Sequence, residues 1–317
     1  MRILIIHDTC SNTPSLDEVD TIEQVKLITD ALSIKGHVVN ELSFSLQNEK
    51  MKESIASYSP DLIFNLVETL EGSSLLHLAP SLFESLNIPF TGSPSIPMKL
   101  SSNKILAKEA MIKASLPTPR WINNSEGVNL KEFLGLPLII KPICEEASVG
   151  INDESVKTFY STQSLQEILY SKTLFGEEYI NGREFNVSIL MIEGTPVVLP
   201  PAEMLFINYP THKPTIVGYD AKWEETSFAY HHTTRSFTFT QKDQPLIDEV
   251  KELTRKAFIL FGNKGYMRVD FRADSLEKPY ILEVNVNPCL NKDSGFVAAA
   301  KEHGIEYDKL IELIIKG

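Results

Sequence analysis

A chain of 317 residues exceeds what one ordinary core organises and has room for two or three small domains. Its 42 Asp and Glu outnumber 30 Lys and Arg, for a net charge of -12, which excludes a general phosphate-backbone binder, because nonspecific nucleic-acid affinity needs clustered positive charge. Cys10, Cys144 and Cys289 stand far apart with no CxxC or Cys/His cluster, and no apolar run has signal-peptide or bilayer-spanning length. The expectation is a cytoplasmic protein in a reducing compartment, with no disulfide framework, no zinc site, no nucleic acid and no membrane partner.

Ile3-Leu4-Ile5-Ile6 has buried-strand length, and Val19, Ile22, Val25, Ile28 and Leu32 then recur at helical spacing up to Gly36, a natural stop. His37-Val38-Val39 and residues 62–67 read as further strands, with a helix over 49–58 between them that ends before Pro60. This alternation predicts a small doubly wound parallel sheet. Ligands of such sheets gather at the carboxyl ends of strands, which marks His7, Asp8, Glu68 and Glu71 for substrate contact. After Thr91-Gly92-Ser93-Pro94 the texture changes to a helix over 102–114, Pro117 and Pro119, then the strand Leu138-Ile139-Ile140-Lys141-Pro142. From Phe185 onward strands dominate, at 187–192, 197–199, 267–271 and 280–284, interrupted by one helix over about 245–261. That predicts a mostly antiparallel sheet backed by helices.

Near the C-terminus, Arg268-Val269-Asp270-Phe271 and Leu282-Glu283-Val284-Asn285-Val286-Asn287-Pro288 alternate polar with apolar residues. Period two puts Arg268 and Asp270 on one face of their strand and Glu283, Asn285 and Asn287 on one face of the other. A turn over 274–279 would pair the strands and bring two carboxylates and an amide oxygen to a common point, an all-oxygen donor set suited to Mg²⁺ on nucleotide phosphates. Lys104, Lys141 and Lys222 form a second set. Lys141 ends an apolar strand and must snorkel or meet an anion, phosphate being the sharper reading. In the loop Glu145-Glu146-Ala147-Ser148-Val149-Gly150, small residues let backbone N–H groups converge on phosphate oxygens and Ser148 adds a hydroxyl, while Glu145 and Glu146 oppose an anion. Residues 177–185 read from spacing alone as either a site segment or a plain linker. His231-His232 is a poor metal pair, because adjacent strand residues point to opposite faces, whereas Arg235 can pair bidentately with a carboxylate.

In this order, these segments resemble the ATP-grasp superfamily, and most closely its D-alanine–D-alanine ligase branch, over nearly the whole chain. The resemblance implies an α/β (α+β overall) ATP-grasp fold. It divides into an N-terminal doubly wound parallel-sheet substrate domain over 1–92, a small central α/β lid over 93–183 with the phosphate loop and adenine hinge, and a C-terminal antiparallel-sheet domain over 184–317 with the metal site. It implies that Lys104 and Lys141 contact ATP phosphates, that Glu177, Tyr179 and Ile180 form the adenine hinge, and that Glu184 holds the ribose. Lys222 would reach the terminal phosphates, with Ser148 in the closing loop. Asp270, Glu283 and Asn285 would hold two Mg²⁺ ions, for which Mn²⁺ can substitute. Arg268, with backbone N–H groups near Leu290, would stabilise the reacting centre, and Ser294 would bind a substrate carboxylate. The implied activity is ATP-dependent joining of a small-molecule carboxylate to an amine through an acylphosphate, by a protein that can be a homodimer.

The departures from that branch cluster where amino-acid substrates would sit. His7-Asp8-Thr9-Cys10 replaces a Gly-rich turn, Val67-Glu68 replaces a His-Gly pair, Glu146 and Ala147 replace Gly and Ser, and Cys289 replaces Gly. Glu68, Glu71 and Glu18 are acidic candidates for a substrate amine, and Arg235 for a carboxylate. Two other activities fit the same fold: a small-molecule phosphotransferase, and a nucleotide-binding regulator without catalysis. Arg268 argues against both, since an oxyanion stabiliser serves acyl transfer.

Overall fold

A computed structural model describes residues 1–9, 15–124 and 128–317, so Cys10 lies outside the described residues. β1 (Arg2–His7), α1 (Leu16–Ile34), β2 (Val38–Ser43), α2 (Asn48–Tyr58) and β3 (Leu62–Leu66) form the expected alternating unit, in strand order β2-β1-β3 with parallel pairing throughout. Leu4 and Ile6 enter one apolar cluster and Ile3 and Ile5 another, as alternation demands of a strand covered on both faces. A capping box starts α1, where the Ser15 N–H donates to Glu18 Oε2 at 2.8 Å. The five-residue apolar stripe is only partly a core stripe. Val25, Ile28 and Leu32 are buried, but Val19 and Ile22 are exposed, and the buried positions beside them are the polar Thr21 and Gln24.

α3 (Leu78–Ser85) and α4 (Ser95–Ser101) precede α5 (Lys104–Lys113), which begins at Asn103, whose Oδ1 accepts the N–H groups of Ile105 and Leu106 at 3.1 Å each. A second sheet joins β4 (Trp121–Ile122), β5 (Pro137–Pro142), β6 (Val156–Thr158) and β7 (Leu174–Glu178) in the antiparallel order β4-β7-β5-β6, with α6 (Thr162–Leu169) against it. Ile122, Leu138, Ile140, Leu165 and Leu169 give it an apolar cluster of its own.

The third sheet contains β8 (Arg183–Ile192), β9 (Thr195–Val198), β10 (Ala202–Phe206), β11 (Thr233–Ser236), β12 (Tyr266–Ala273) and β13 (Pro279–Asn285). Its order is β11-β10-β8-β12-β13 with β9 on β8, all antiparallel. The expectation of one helix here is corrected: besides α9 (Gln244–Leu260), the region holds α7 (Tyr219–Trp223), α8 (Phe228–His232), α10 (Gly295–Glu302) and α11 (Tyr307–Ile314). α7 and α8 have five residues each, too short to display a period. His231 and His232 end α8 and do not lie in a strand; the His232 ring stacks on Phe228 at 3.9 Å and its Nδ1 bonds the Phe228 carbonyl oxygen. The first and third sheets share their cores, Leu4, Ile6 and Ile63 packing in one cluster with Val187, Val250 and Val269. The second sheet stands apart from that shared core, across a cleft.

Candidate active site

The cleft is a cavity of about 1370 Å³, lined from the second and third sheets and by the loop after β3, α1, α7 and the loop before α10. At one end, β5 and β7 pair Ile139 with Glu177 and Lys141 with Phe175, and α5 carries a lysine the motifs did not single out, Lys108. Lys108 Nζ stands 2.6 Å from Glu177 Oε2, and Lys141 Nζ bonds Glu177 Oε1, all three side chains being buried. Burial alone would raise the Glu177 pKa, but the two ammonium groups bring it below the ordinary value. The anion that Lys141 meets in this structure is therefore a carboxylate of its own sheet, and the Glu177 carboxylate, expected at the adenine amino group, is held by two lysines. Tyr179 and Ile180 line the cavity beside it. Glu184 pairs with Arg272 Nε at 3.3 Å, and the Arg272 guanidinium lies 5.4 Å over the Tyr179 ring. Arg272 also donates to the Gly182 carbonyl at 2.7 Å. Glycine is required at that turn, since a Cβ at Gly182 would stand 1.9 Å from the Ala273 carbonyl oxygen.

The loop after β5 folds back over the cavity. Ala147 and Ser148 take left-handed backbone at φ of 55° and 62°. Trp223 Nε1 donates to the Ala147 carbonyl at 3.0 Å, and Ser148 Oγ donates to the Val217 carbonyl at 2.9 Å. The expected hydroxyl donor for phosphate is thus engaged with the chain, and the loop is tied to the α7 segment that carries Lys222. Lys104 Nζ donates to the Glu145 carbonyl and lies 4.0 Å from Glu283 Oε2.

Pairing of β12 with β13 sets Arg268 opposite Asn285 and Asp270 opposite Glu283, the face predicted from alternation. Arg268 grips Asp270 through two bonds of 2.8 Å, from Nε to Oδ1 and from Nη2 to Oδ2, and Asn186 Nδ2 adds a third at 2.8 Å. With its amide oriented to satisfy both neighbours, Asn285 accepts from Arg268 Nη2 and donates to Glu146 Oε2, each at 3.1 Å. The amide oxygen then lies 3.5 Å from Asp270 Oδ2 and 3.4 Å from Glu283 Oε1. Three oxygens on one spot fit a hard divalent cation bridged to phosphates, which takes few protein ligands. Among the described residues no group of three or more His, Cys, Asp or Glu side chains would hold a metal without such a bridge. The Glu283 pKa falls to about 2: burial would raise it, but Lys104, Lys222, Lys141 and Arg268 prevail. Glu146, half-buried near Lys104, Arg268 and Lys222 but also facing Glu283, is pushed up to about 7, desolvation being the largest cause. Burial and then Arg268 lower the Lys222 pKa.

The far end is built on α1. Gln24, fully buried, donates Nε2 to Asp20 Oδ2 and Glu68 Oε2 at 3.2 Å each, and its Oε1 accepts the Leu290 N–H at 2.7 Å. The Asn291 N–H is directed at Cys289 Sγ, 3.4 Å away, so these two N–H groups near Leu290, expected as oxyanion donors, already have partners. Asn291 Nδ2 donates to Asp20 Oδ1 at 2.6 Å and Glu23 Oε2 at 3.2 Å. Asp8 accepts the N–H groups of Glu68 and Thr69, and burial followed by the Asp8 charge pushes the Glu68 pKa to about 8. Ser294 caps α10, accepting the Val297 N–H at 3.3 Å, and Arg235 stands beside it, reaching the Asp293 carbonyl at 3.4 Å. Burial and then Arg268 lower the Arg235 pKa. Glu71 is set apart: it is exposed on a turn at φ 50° and does not line the cavity. Glu18 lines the cavity mouth but serves the α1 capping box.

Residues 114–316 match the family model described as D-ala D-ala ligase C-terminus. The chain belongs to the D-alanine–D-alanine ligase family. Members of this ATP-grasp family are carbon–nitrogen ligases. The chain is 29% identical over 323 residues to the D-alanine–D-alanine ligase of Aquifex aeolicus (strain VF5), covering 99% of this chain and 100% of that one. It is 27% identical over 300 residues to that of Marinomonas sp. (strain MWYL1), covering 93% and 89%. The structure of the D-alanine–D-alanine ligase from Bacillus anthracis complexed with ATP matches with a TM-score of 0.75 at 21% identity, over 100% of this chain and 96% of that one, a likeness of fold. No helix among the described residues is long and apolar enough to cross a membrane.

Within this ligase family fold, the sequence motifs locate one wall of the site and miss the groups that hold it. Lys108 could have been found, since helical spacing puts it with Lys104, Ala107 and Met111 on the buried face of α5. Gln24 and Asp20 share a face of α1 with the core residue Ile28, and Asn291 sits in a loop where no period applies.

Proposed function

We propose that the protein joins a small carboxylic acid to an amine with ATP, by way of an acylphosphate, and that both substrates are amino acids or short peptides. The observation that carries this reading is the meeting of Lys104, Lys222 and Arg268 with Asp270, Glu283 and Asn285 on one wall of the cavity. Phosphoryl transfer needs positioning and charge neutralisation, and these residues supply both. Lys104, Lys141 and Lys222 would bind the triphosphate, with Tyr179, Ile180 and Glu184 toward the nucleoside. Asp270, Glu283 and Asn285 would hold Mg²⁺, which when bound neutralises charge on the transferring group. The acid's ammonium would face Asp20 and Glu68, and the acceptor's carboxylate would face Arg235 and Ser294. Once the γ-phosphate has passed from ATP to the acid, leaving ADP, the acceptor amine attacks the carbonyl carbon, Arg268 stabilises the oxyanion, a role worth about 3 kcal/mol per donor, and the C–O bond to phosphate breaks, releasing phosphate and leaving an amide. The loop that carries Ser148, resettled over the bound nucleotide, would exclude water from the acylphosphate. In this reading residues 1–92, 93–183 and 184–317 act as substrate, lid and metal-binding units. Residues at the substrate end depart from the family pattern, Glu68 and Cys289 among them, and D-alanyl-D-alanine synthesis is one member of the set of amino-acid and peptide ligations this reading covers.

The test is phosphate release from MgATP by the purified protein, screened against pools of D- and L-amino acids and short peptides. Release that requires one acid and yields an amide when an amine is present supports the ligase reading. Release that leaves a stable phosphorylated product with no amide would replace it with a phosphotransferase.

A further inference from the structure

We propose that the Glu146 carboxylate occupies, in the nucleotide-free protein, the place that the terminal phosphates of ATP take, so that nucleotide entry displaces it together with its loop. This rests on the nucleotide site proposed above and adds a residue that sets its affinity. Asn285 Nδ2 holds Glu146 Oε2 at 3.1 Å against β13. The charged groups that face this carboxylate from the surrounding elements are Lys104 of α5, Arg268 of β12, Lys222 of α7 and Glu283 of β13. Three of the four are cations, and they are the cations that a triphosphate would recruit.

The pairing around them explains why an anion belongs there. Arg268 is gripped by Asp270, and Lys104 faces Glu283 at 4.0 Å. Lys222, which lines the cavity, forms no ion pair among the described residues. Lys222 is half-buried beside Arg268, with Glu283, Asp270 and Glu184 opposing that repulsion, and Glu146 is the carboxylate that the loop adds to this set. The same loop is fastened on its other side, where Trp223 Nε1 bonds the Ala147 carbonyl and Ser148 Oγ the Val217 carbonyl. A carboxylate and a γ-phosphate cannot share one set of cations without repulsion, so the loop must yield as the nucleotide enters.

The experiment is calorimetric titration of the wild type, Glu146→Gln and Glu146→Gly with AMP, ADP and a non-hydrolysable β,γ-imido ATP analogue, in the presence of Mg²⁺. Both variants are expected to bind the ATP analogue roughly tenfold more tightly than wild type, a difference set by one lost charge competition, with AMP affinity unchanged. Equal analogue affinity in all three proteins overturns the displacement while leaving the nucleotide site intact. Weaker analogue binding that recovers at higher Mg²⁺ also overturns it, because Glu146 would then be a metal ligand. Absence of nucleotide binding in all three forms removes the underlying site as well. Wild-type binding of the analogue should in addition shift the fluorescence of Trp223, read in a Trp121→Phe background; a binding event that leaves this emission unmoved counts against loop displacement.

Discussion

The two ends of the cavity manage charge in opposite ways. At the end proposed for the nucleotide most charged groups meet partners of opposite sign within the protein, Glu177 between Lys108 and Lys141, Asp270 on Arg268 and Glu184 on Arg272, with Lys222 the exception. At the end proposed for the substrates, Asp20, Glu23 and Glu68 meet the amides of Gln24 and Asn291 and the Cys289 thiol, and Arg235 bonds the Asp293 carbonyl and no side chain among the described residues. A self-neutralised end keeps its shape before any ligand arrives, whereas an end balanced only by neutral groups is completed by the charges of what it binds. Shape would thus be set at one end and selectivity at the other.

If that contrast holds, breaking a pair at the first end should cost the fold. Glu177→Leu leaves two buried lysines without their carboxylate, and a loss of about 3–5 kcal/mol is expected in urea unfolding. A loss under about 1 kcal/mol would mean that the triad is not a buried ionic unit. Glu283→Gln removes a carboxylate that four cations favour, so some stability is lost as well, but the protein should stay folded at assay temperature while Mg²⁺-dependent turnover falls by about a hundredfold or more. Full turnover in that variant would remove Glu283 from the metal assignment.

The same contrast separates what the sequence makes legible from what it hides. Alternation in β12 and β13 places Arg268, Asp270, Glu283 and Asn285 on a common face, because a strand has only two faces and the apolar residues take one. The parallel unit is legible for a related reason: β1 and β3 are apolar on both sides. Gln24 and Asn291 escape because they are polar residues buried by distant partners, and local periodicity carries no trace of a contact between residues 24 and 290, whereas Lys108 lies within reach of helical spacing. Glu71 errs in the other direction. It follows the third strand as a substrate contact should, but a left-handed backbone at φ 50° turns it out to solvent.

At the second end the effects should be smaller and should appear in substrate terms. Arg235→Gln is expected to raise KM for an amino-acid acceptor by roughly tenfold, with kcat much less affected, because the lost contact serves the ground state and the transition state alike. An acceptor amine without a carboxylate should respond equally to wild type and variant. Equal sensitivity for both kinds of acceptor would take Arg235 out of carboxylate recognition.

The last test concerns Glu68, whose folded pKa is raised from 4.5 to about 8 by burial and by Asp8. A carboxyl group with a raised folded pKa prefers to fold protonated, so its contribution to stability is complete below about pH 4.5 and is lost as pH rises through about 8. Thermal melts of the wild type and Glu68→Gln should therefore diverge with rising pH, the variant gaining relative to wild type by roughly 2–4 °C per kcal/mol of linkage. Glu146 and Asp20, both raised, impose slopes of the same sign on both proteins and cancel in the difference except for their Coulombic coupling to Glu68. A substrate ammonium seated on Glu68 would favour its ionised form and draw the two curves together again. Melts that remain parallel across the range, with or without substrate, would mean that Glu68 already has its counter-charge and that the amine binds elsewhere.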